Sequence, residues 1–420
     1  MSNMPTFAEI GTSVALSLVL SLAATPAVKW LALRIGAIDD PKDDRRVHKV
    51  PIPKLGGLAI FLAFLVSVLL FADITRQFRG MLIGSVIIVI IGVIDDIKPQ
   101  RAFVKLIVQI VAALVAVFHG VVIEVFSNPL VFVSAEYVSL GFLSIPITVI
   151  WIVAITNSVN LIDGLDGLSV GVSTISSIVM LIIALMVSDH NVAVIMAALI
   201  GACLGFLPYN FNPAKIFVGD TGALLLGYVL ATVSIFGLFK FYAVVSVAVP
   251  FLVLALPLFD TSFAFLRRLL KGQNPMKPDR GHTHHRLLDM GLSQRQAVLL
   301  MYAVSALLGF IAIVIAASDA IRAFVLIVAV SVATVVLFFY FYRSKVKESG
   351  APKATGATGA TGATDATGVP DTAGSPDAVG AISDATFSAA ESDNAGGGSA
   401  GSAGGNDSPD IPEESGGDIK

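Results

Sequence analysis

Cysteine is nearly missing from this chain, with Cys203 the one thiol among 420 residues. That excludes an internal disulfide framework and leaves no set of thiolates to hold a metal. Charge is scarce as well: Asp, Glu, Lys and Arg make up 14% of the sequence, and the formal net charge is −3. With no general basic surface there is no case for a nucleic-acid partner, and the positive residues matter by position. No basic stretch precedes the first apolar run, which continues for more than about twenty residues, so it reads as a retained span and not a cleaved signal peptide.

Apolar length is what the chain has instead. Hydrophobic residues make up 55% of it, and the mean hydropathy is +0.85. Such a composition belongs to a polytopic membrane protein. The expected fold class is all-α, with about eleven transmembrane helices of roughly 20 residues each. They fall at 7–33, 55–72, 80–94, 103–120, 145–160, 168–187, 192–208, 222–239, 243–266, 296–317 and 320–342. The loop after the first span carries Arg34, Lys42, Arg45, Arg46, Lys49 and Lys54, and the loop after the third carries Lys98, Arg101 and Lys105. Lys215 follows the seventh span; Arg267, Arg268, Lys271, Lys277, Arg280 and Arg286 follow the ninth; only Arg76, Arg79, Lys240 and Arg322 fall on the other side. The positive-inside rule then makes the odd-numbered loops and the C-terminus cytoplasmic and puts the N-terminus outside, in a plasma membrane. The fourth loop, 121–143, has no Lys or Arg, and its β-branched and aromatic runs around Ser127-Asn128-Pro129 predict a small external hairpin. Residues 1–345 form the expected membrane domain. Residues 346–420, rich in Ala, Gly, Thr, Ser and Asp, cannot bury a core and predict a disordered acidic cytoplasmic tail.

Against that background one stretch is unusually polar. Asn157, Asn160, Asp163 and Asp166 follow an apolar run, with Gly164 and Gly167 among them. On a continuous helix their i, i+3 spacing would line one face. Polar groups this dense at the end of a bilayer-length segment are costly unless something binds there, and ordinary helix capping needs only one such residue.

The other motif-like residues also fall on cytoplasmic loops. Arg45 to Lys54 followed by Gly56-Gly57 offers cations and free backbone N–H groups to a phosphate, although a plain headgroup anchor would also be basic. Asp95 and Asp96 are adjacent at a helix end, so one should face a pocket and the other a cation or a supporting partner; the pair suits a base or a Mg²⁺ ligand. Asp220, between Gly219 and Gly222 at a helix start, is either an N-cap or an oxygen ligand to a hard cation. Arg280-Gly281-His282-Thr283-His284-His285-Arg286 holds three of the chain's six histidines. It offers either a tightly spaced zinc site or a donor set for a diphosphate or sugar.

Together the His48 to Gly57 loop, Asp95-Asp96, Asn157 to Gly167, Gly219-Asp220 and Pro278 to Leu287 resemble, in that order, the polyprenyl-phosphate N-acetylhexosamine-1-phosphate transferases. That membrane family includes the enzymes that start wall teichoic acid, O-antigen and enterobacterial common antigen. The likeness is closest over 31–292, and the His-x-His-His form followed by Arg-Leu is similar to the GlcNAc-1-phosphate branch more than to the muropeptide transferase. The resemblance implies transfer of a sugar 1-phosphate from a UDP-sugar, UDP-GlcNAc in that branch, to undecaprenyl or another polyprenyl phosphate, with release of UMP. It implies Mg²⁺, with Mn²⁺ as a substitute, held by Asp220 with Asp95. Asp95, Asp96, Asp163 and Asp166 are the implied catalytic carboxylates; Asn157, Asn160, Lys49, Lys54, Arg280, His282, His284 and His285 are the implied substrate-binding residues. Asp260 is either structural or part of an acceptor groove. Direct attack by the lipid phosphate and a covalent aspartyl intermediate both fit the family. The implied partners are the two substrates, membrane lipids and a second copy of the chain as a homodimer. The competing class is an ion-coupled transporter, which would place its ionisable groups at the membrane midplane, often in repeated halves; here they gather at one face and no internal repeat is visible.

Overall fold

The computed structural model describes residues 6–40, 50–127, 137–238, 248–270 and 282–317. In order they form α1 (Phe7–Ile35), β1 (Ile38–Asp39), β2 (Ile52–Pro53), α2 (Gly57–Phe71), α3 (Arg76–Ile97), α4 (Ala102–Phe118), β3 (Val125–Ser127) and β4 (Tyr137–Ser139). There follow α5 (Ser144–Ile162), α6 (Leu168–Met186), α7 (His190–Asn210), α8 (Gly219–Val233), α9 (Ala248–Val253), α10 (Ala255–Leu270), α11 (Thr283–Asp289) and α12 (Gln294–Ala316). Among the described residues seven helices are long and apolar enough to cross a membrane, and the shorter apolar α2 and α4 accompany them. The chain is an all-α polytopic membrane protein. The expected eleventh span at 320–342 and the tail lie outside the described residues.

Because lipid is as apolar as leucine, close backbone approach and buried polar contacts must hold such helices together. On α1 the buried positions Ser13, Ser17, Ser21, Thr25, Val28 and Ala32 make one stripe of mostly small side chains. Gly201 and Gly205 of α7 pack onto it, against the α1 backbone at Val14 and Leu18, and Ser13 meets Ser67 of α2 at 3.0 Å. At the centre is α8, nearly all of it buried, with α2, α3, α5 and α6 around it.

At two of the prolines inside helices another helix supplies the missing donor. Pro26 has no N–H to give to the Leu22 carbonyl, and the Tyr209 hydroxyl of α7 donates to it at 3.3 Å. Pro257 likewise leaves the Val253 carbonyl free, and Ser176 Oγ of α6 donates there at 2.9 Å. This corrects the expected ninth span: its described part is two helices, α9 and α10, broken at Leu254. The two strands expected around Ser127-Asn128-Pro129 are present as the antiparallel pair β3–β4, with Phe126 opposite Val138.

Candidate active site

A cleft of about 850 Å³ opens at one end of the bundle. Besides Lys29 and Leu33 of α1, its lining comes mainly from five separate parts of the chain: Pro51–Lys54 between α1 and α2, Asp96 at the end of α3, Asp163–Asp166 between α5 and α6, Asn212–Gly219 between α7 and α8, and His285 with Gln294 after α10. These follow the first, third, fifth, seventh and ninth spans, the set that the charge pattern assigns to one membrane face.

The start of α8 organises the site. Gly219 has φ +70°, and a Cβ there would collide with the Asp96 carboxylate, so glycine is required twice over. Asp96, buried at the end of α3, accepts from the backbone N–H of Asp220 at 2.9 Å and of Thr221 at 3.1 Å, and from Thr221 Oγ1 at 2.6 Å. A carboxylate on free N–H groups at a helix start is favoured by hydrogen bonding and by the helix dipole. Asp96 therefore caps α8 from another helix, and Asp220 is released from that task. Asp220 instead accepts from Lys105 Nζ at 2.6 Å and from Asn160 Nδ2 at 3.2 Å. Lys105, on α4, also reaches Asp95 Oδ2 at 3.3 Å, while Asp95 Oδ1 accepts the Gln100 N–H at 2.7 Å. Of these two neighbours Asp95 turns toward a cation, while Asp96 borders the cleft and spends its oxygens on the start of α8.

The stretch 157–166 does not keep a single helical face. Helix α5 stops at Ile162, Asp163 is its C-cap, and Gly167 starts α6 with φ +81°. The glycines and the Asp163 cap break the periodicity, so four side chains point to four places. Asn157 pairs with Gln109 of α4 and donates to its own Val153 carbonyl at 2.8 Å, outside the cleft lining. Asn160 reaches Asp220. Asp163 accepts from Ser169 Oγ at 2.6 Å, and Asp166 accepts from Asn212 Nδ2 and the Ala214 N–H, both at 3.0 Å. Asp163 keeps some surface open to the cleft, yet the surrounding protein removes most of its hydration; that burial raises its pKa to about 7, the nearby carboxylates of Asp220, Asp96 and Asp166 adding to the rise against the Ser169 bond.

Two further expectations are corrected. The N–H groups of Gly56 and Gly57 are not free for a phosphate: they donate to the carbonyls of Phe217 at 2.9 Å and Val218 at 2.7 Å, tying α2 to the loop before α8. Lys54 beside them does line the cleft. The three histidine rings lie side by side, His282 stacked on His284 at 5.7 Å and His284 tilted against His285 at 4.4 Å between centroids, but they do not face the cleft together. Asp260 of α10 accepts from the backbone N–H of Thr283 at 2.6 Å and from its hydroxyl, and lies 2.8 Å from His282 Nδ1, so His282 is an anchor of α11. His284 is buried where a Cβ on Gly164 would clash with its ring, and burial lowers its pKa to about 4, which keeps it neutral. His285 alone of the three lines the cleft. Among the described residues no group of three or more His, Cys, Asp or Glu side chains could by itself hold a metal ion, so the zinc alternative has no support there. Lys49 and Arg280 lie outside the described residues.

Lys105 was legible in the sequence only as one more basic residue near a membrane face. The signal that singles it out is its place inside an apolar helix, one turn before Gln109, the other polar side chain of that helix's buried side. Thr221, Ser169, Asn212 and Gln294 gave no comparable sign.

Fold and site together define a polytopic membrane protein with an acidic, lysine-bridged cleft at one end of its helices. The profile of glycosyl transferase family 4 matches residues 78–238, which span α3 to α8 and the cluster of Asp95, Asp96, Asp163 and Asp220. A probable undecaprenyl-phosphate N-acetylglucosaminyl 1-phosphate transferase of Bacillus subtilis (strain 168) is 41% identical over 300 residues, which is 71% of this chain and 83% of that protein. The decaprenyl-phosphate N-acetylglucosaminephosphotransferase of Mycolicibacterium smegmatis is 36% identical, over 68% of this chain and 76% of its own length. A phospho-N-acetylmuramoyl-pentapeptide-transferase of Caldicellulosiruptor bescii is 33% identical over 54% and 73%. The chain belongs to glycosyl transferase family 4.

Proposed function

We propose that the protein transfers N-acetylglucosamine 1-phosphate from UDP-GlcNAc to a polyprenyl phosphate such as undecaprenyl phosphate, starting a cell-envelope polysaccharide. An oxygen of the lipid phosphate becomes bonded to the β-phosphorus of the nucleotide sugar, the bond to the bridging oxygen breaks, and UMP leaves with that oxygen. The observation that carries this reading is the convergence of Asp163 and Asp220 on the lining of one cleft at the ends of membrane helices, with Lys105 bonded to Asp220 and to Asp95 behind that lining. There a water-soluble donor and a lipid acceptor can meet. The 41% identity to a protein named for this chemistry supports it.

In phosphoryl transfer most of the catalysis is positioning and neutralisation of charge. Lys105 supplies a cation beside Asp95 and Asp220, and Lys54 a second one on the cleft wall. Asp96 and Gly219 fix the start of α8 and so the place of Asp220. Asp163 is able to hold or accept a proton near neutral pH. A hard divalent cation fits the donor chemistry: the carboxylates of Asp220 and Asp95 and the carbonyl of Asn160 are oxygen ligands, and waters and substrate phosphates ordinarily complete such a shell. When bound, Mg²⁺, or Mn²⁺ in its place, would neutralise phosphate oxygens as charge develops on them. The excess of Lys and Arg on the odd-numbered loops supports a cytoplasmic cleft and an N-terminus outside.

The test is UMP release by the purified protein in lipid nanodiscs with undecaprenyl phosphate and a divalent cation. The expected result is turnover with UDP-GlcNAc and little with UDP-MurNAc-pentapeptide, abolished by EDTA and restored by Mg²⁺. Turnover only with the muropeptide would move the protein to the other branch, and no turnover with either would refute the reading.

A further inference from the structure

No pattern singled out in the sequence includes the first turn of α12, yet that turn grips the cleft. Ser293 Oγ accepts from the Gln296 N–H while Gln296 Oε1 accepts from the Ser293 N–H, a reciprocal cap that fixes where the helix begins. The two residues just inside it both reach Asn212. Asn212 Nδ2 donates to Gln294 Oε1 at 2.7 Å, and Arg295 Nε donates to the Asn212 carbonyl at 3.0 Å. Further along the helix the Tyr302 hydroxyl donates to the Gly167 carbonyl. Helix α12 therefore holds both the loop before α8 and the turn between α5 and α6.

The bonding at Asn212 settles which way its amide points. Nδ2 carries two N–H groups; one goes to Asp166 Oδ2 at 3.0 Å and the other to Gln294. Asp166 accepts only, so the nitrogen and not the oxygen must face it. Without Gln294 one of the two N–H groups loses its acceptor, and the amide is held by Asp166 alone. Asn212, Asp166 and Gln294 all line the cleft, beside the loop between α7 and α8.

We propose that Gln294 is a positioning residue for the nucleotide end of the donor substrate, acting through the amide of Asn212; the identity of that ligand rests on the function proposed above. Gln294 is not a catalytic residue: its effect is on binding, and it passes through its neighbour.

The test measures UMP affinity by calorimetry, together with UDP-GlcNAc turnover, for the wild type, Gln294→Ala, Asn212→Ala and the double variant. Gln294→Ala should weaken UMP binding and raise KM for UDP-GlcNAc about tenfold, with kcat within about twofold, as expected for loss of one well-placed hydrogen bond. In the Asn212→Ala background the same change should do nothing further. Gln294→Met fills the space without an acceptor and should behave as Gln294→Ala, which covers the case in which the alanine variant does not fold. Unchanged UMP affinity in both Gln294 variants, or a loss that multiplies fully with Asn212→Ala, overturns the proposal. A wild type that binds UMP without turning over UDP-GlcNAc refutes the proposed reaction and leaves the Gln294 test readable; one that does neither overturns both.

Discussion

The two ends of the helix bundle are built from the same kind of material and solve different problems. At the end away from the cleft, polar side chains mostly finish helices. Thr6 and Glu9 cap α1, Thr75 caps α3 and Asp189 caps α7; Arg76 and Gln77 donate to the carbonyls of Phe118 and Gly120 that end α4. At the cleft end the main contacts join charged and polar side chains of different helices: Asp96 with Thr221, Lys105 with Asp220 and Asp95, Asn160 with Asp220, and Asp260 with His282. Capping satisfies backbone groups that the membrane would otherwise leave bare. Holding two carboxylates, Asp95 and Asp220, on one lysine finishes no helix. It makes a charged hollow, which is useful only if something charged is to occupy it.

The contrast is broken most severely at Asp220. Asp220→Ala should lower the rate of UMP release by about 10³-fold or more, since a group that orients reacting phosphates contributes several kcal/mol to the transition state. Helix α8 should still form, because its cap is Asp96 and not Asp220. Turnover within tenfold of the wild type would mean that the carboxylates are structural and that both ends of the bundle are alike.

That division between Asp96 and Asp220 also marks how far the sequence could be read. Residue types and spacing along one segment were enough to find membrane helices, to group Asp95-Asp96, Asp163 and Asp220 at one end of them, and to foresee that adjacent aspartates would turn apart; three of the four carboxylates lie in the ends of helices and not on loops. What they could not supply was partnership across the chain. The cap on α8 comes from a residue more than a hundred positions earlier, and so does the cation on Asp220. Gly56 and Gly57 looked available to a phosphate because the carbonyls of Phe217 and Val218 that take their N–H groups are equally remote. The face of four polar side chains at 157–166 failed for a local reason, the end of α5 at Ile162, which helical periodicity does not announce. Pro250 and Pro257 were visible signs of a broken ninth helix, and an apolar run of spanning length outweighed them.

A smaller effect sharpens the comparison through pH. Burial raises the pKa of Asp163 from an ordinary 3.8 to about 7. Between those values the folded protein binds more protons than the unfolded chain, so this group makes stability fall as pH rises from about 4 to 7 and adds no slope above that. Without divalent cation or substrate, Asp163→Asn should remove this decline: the variant should gain in melting temperature over the wild type at pH 8 and much less at pH 5. Its turnover should fall even so, which is the pattern of a group kept for function against stability. An equal shift at both pH values would show that the site near Asp163 is not the poorly hydrated one described here.

The smallest effect is expected at the other end. Asp189 Oδ1 accepts the Val192 N–H at 3.1 Å as the N-cap of α7, directly after Ser188, which itself holds φ +58°. Asp189→Ala should reduce stability by about 1 kcal/mol and leave UMP release at a permissive temperature within about twofold. The comparison is a demanding one, because α7 runs the length of the bundle and ends at Asn210, whose Nδ2 donates to the Ile216 carbonyl and so holds the loop that lines the cleft. If loss of the Asp189 cap slowed turnover more than the stability change explains, α7 would be transmitting strain from end to end. A stability loss alone would show that each end is fastened separately, the far one by caps and the near one by its own charges.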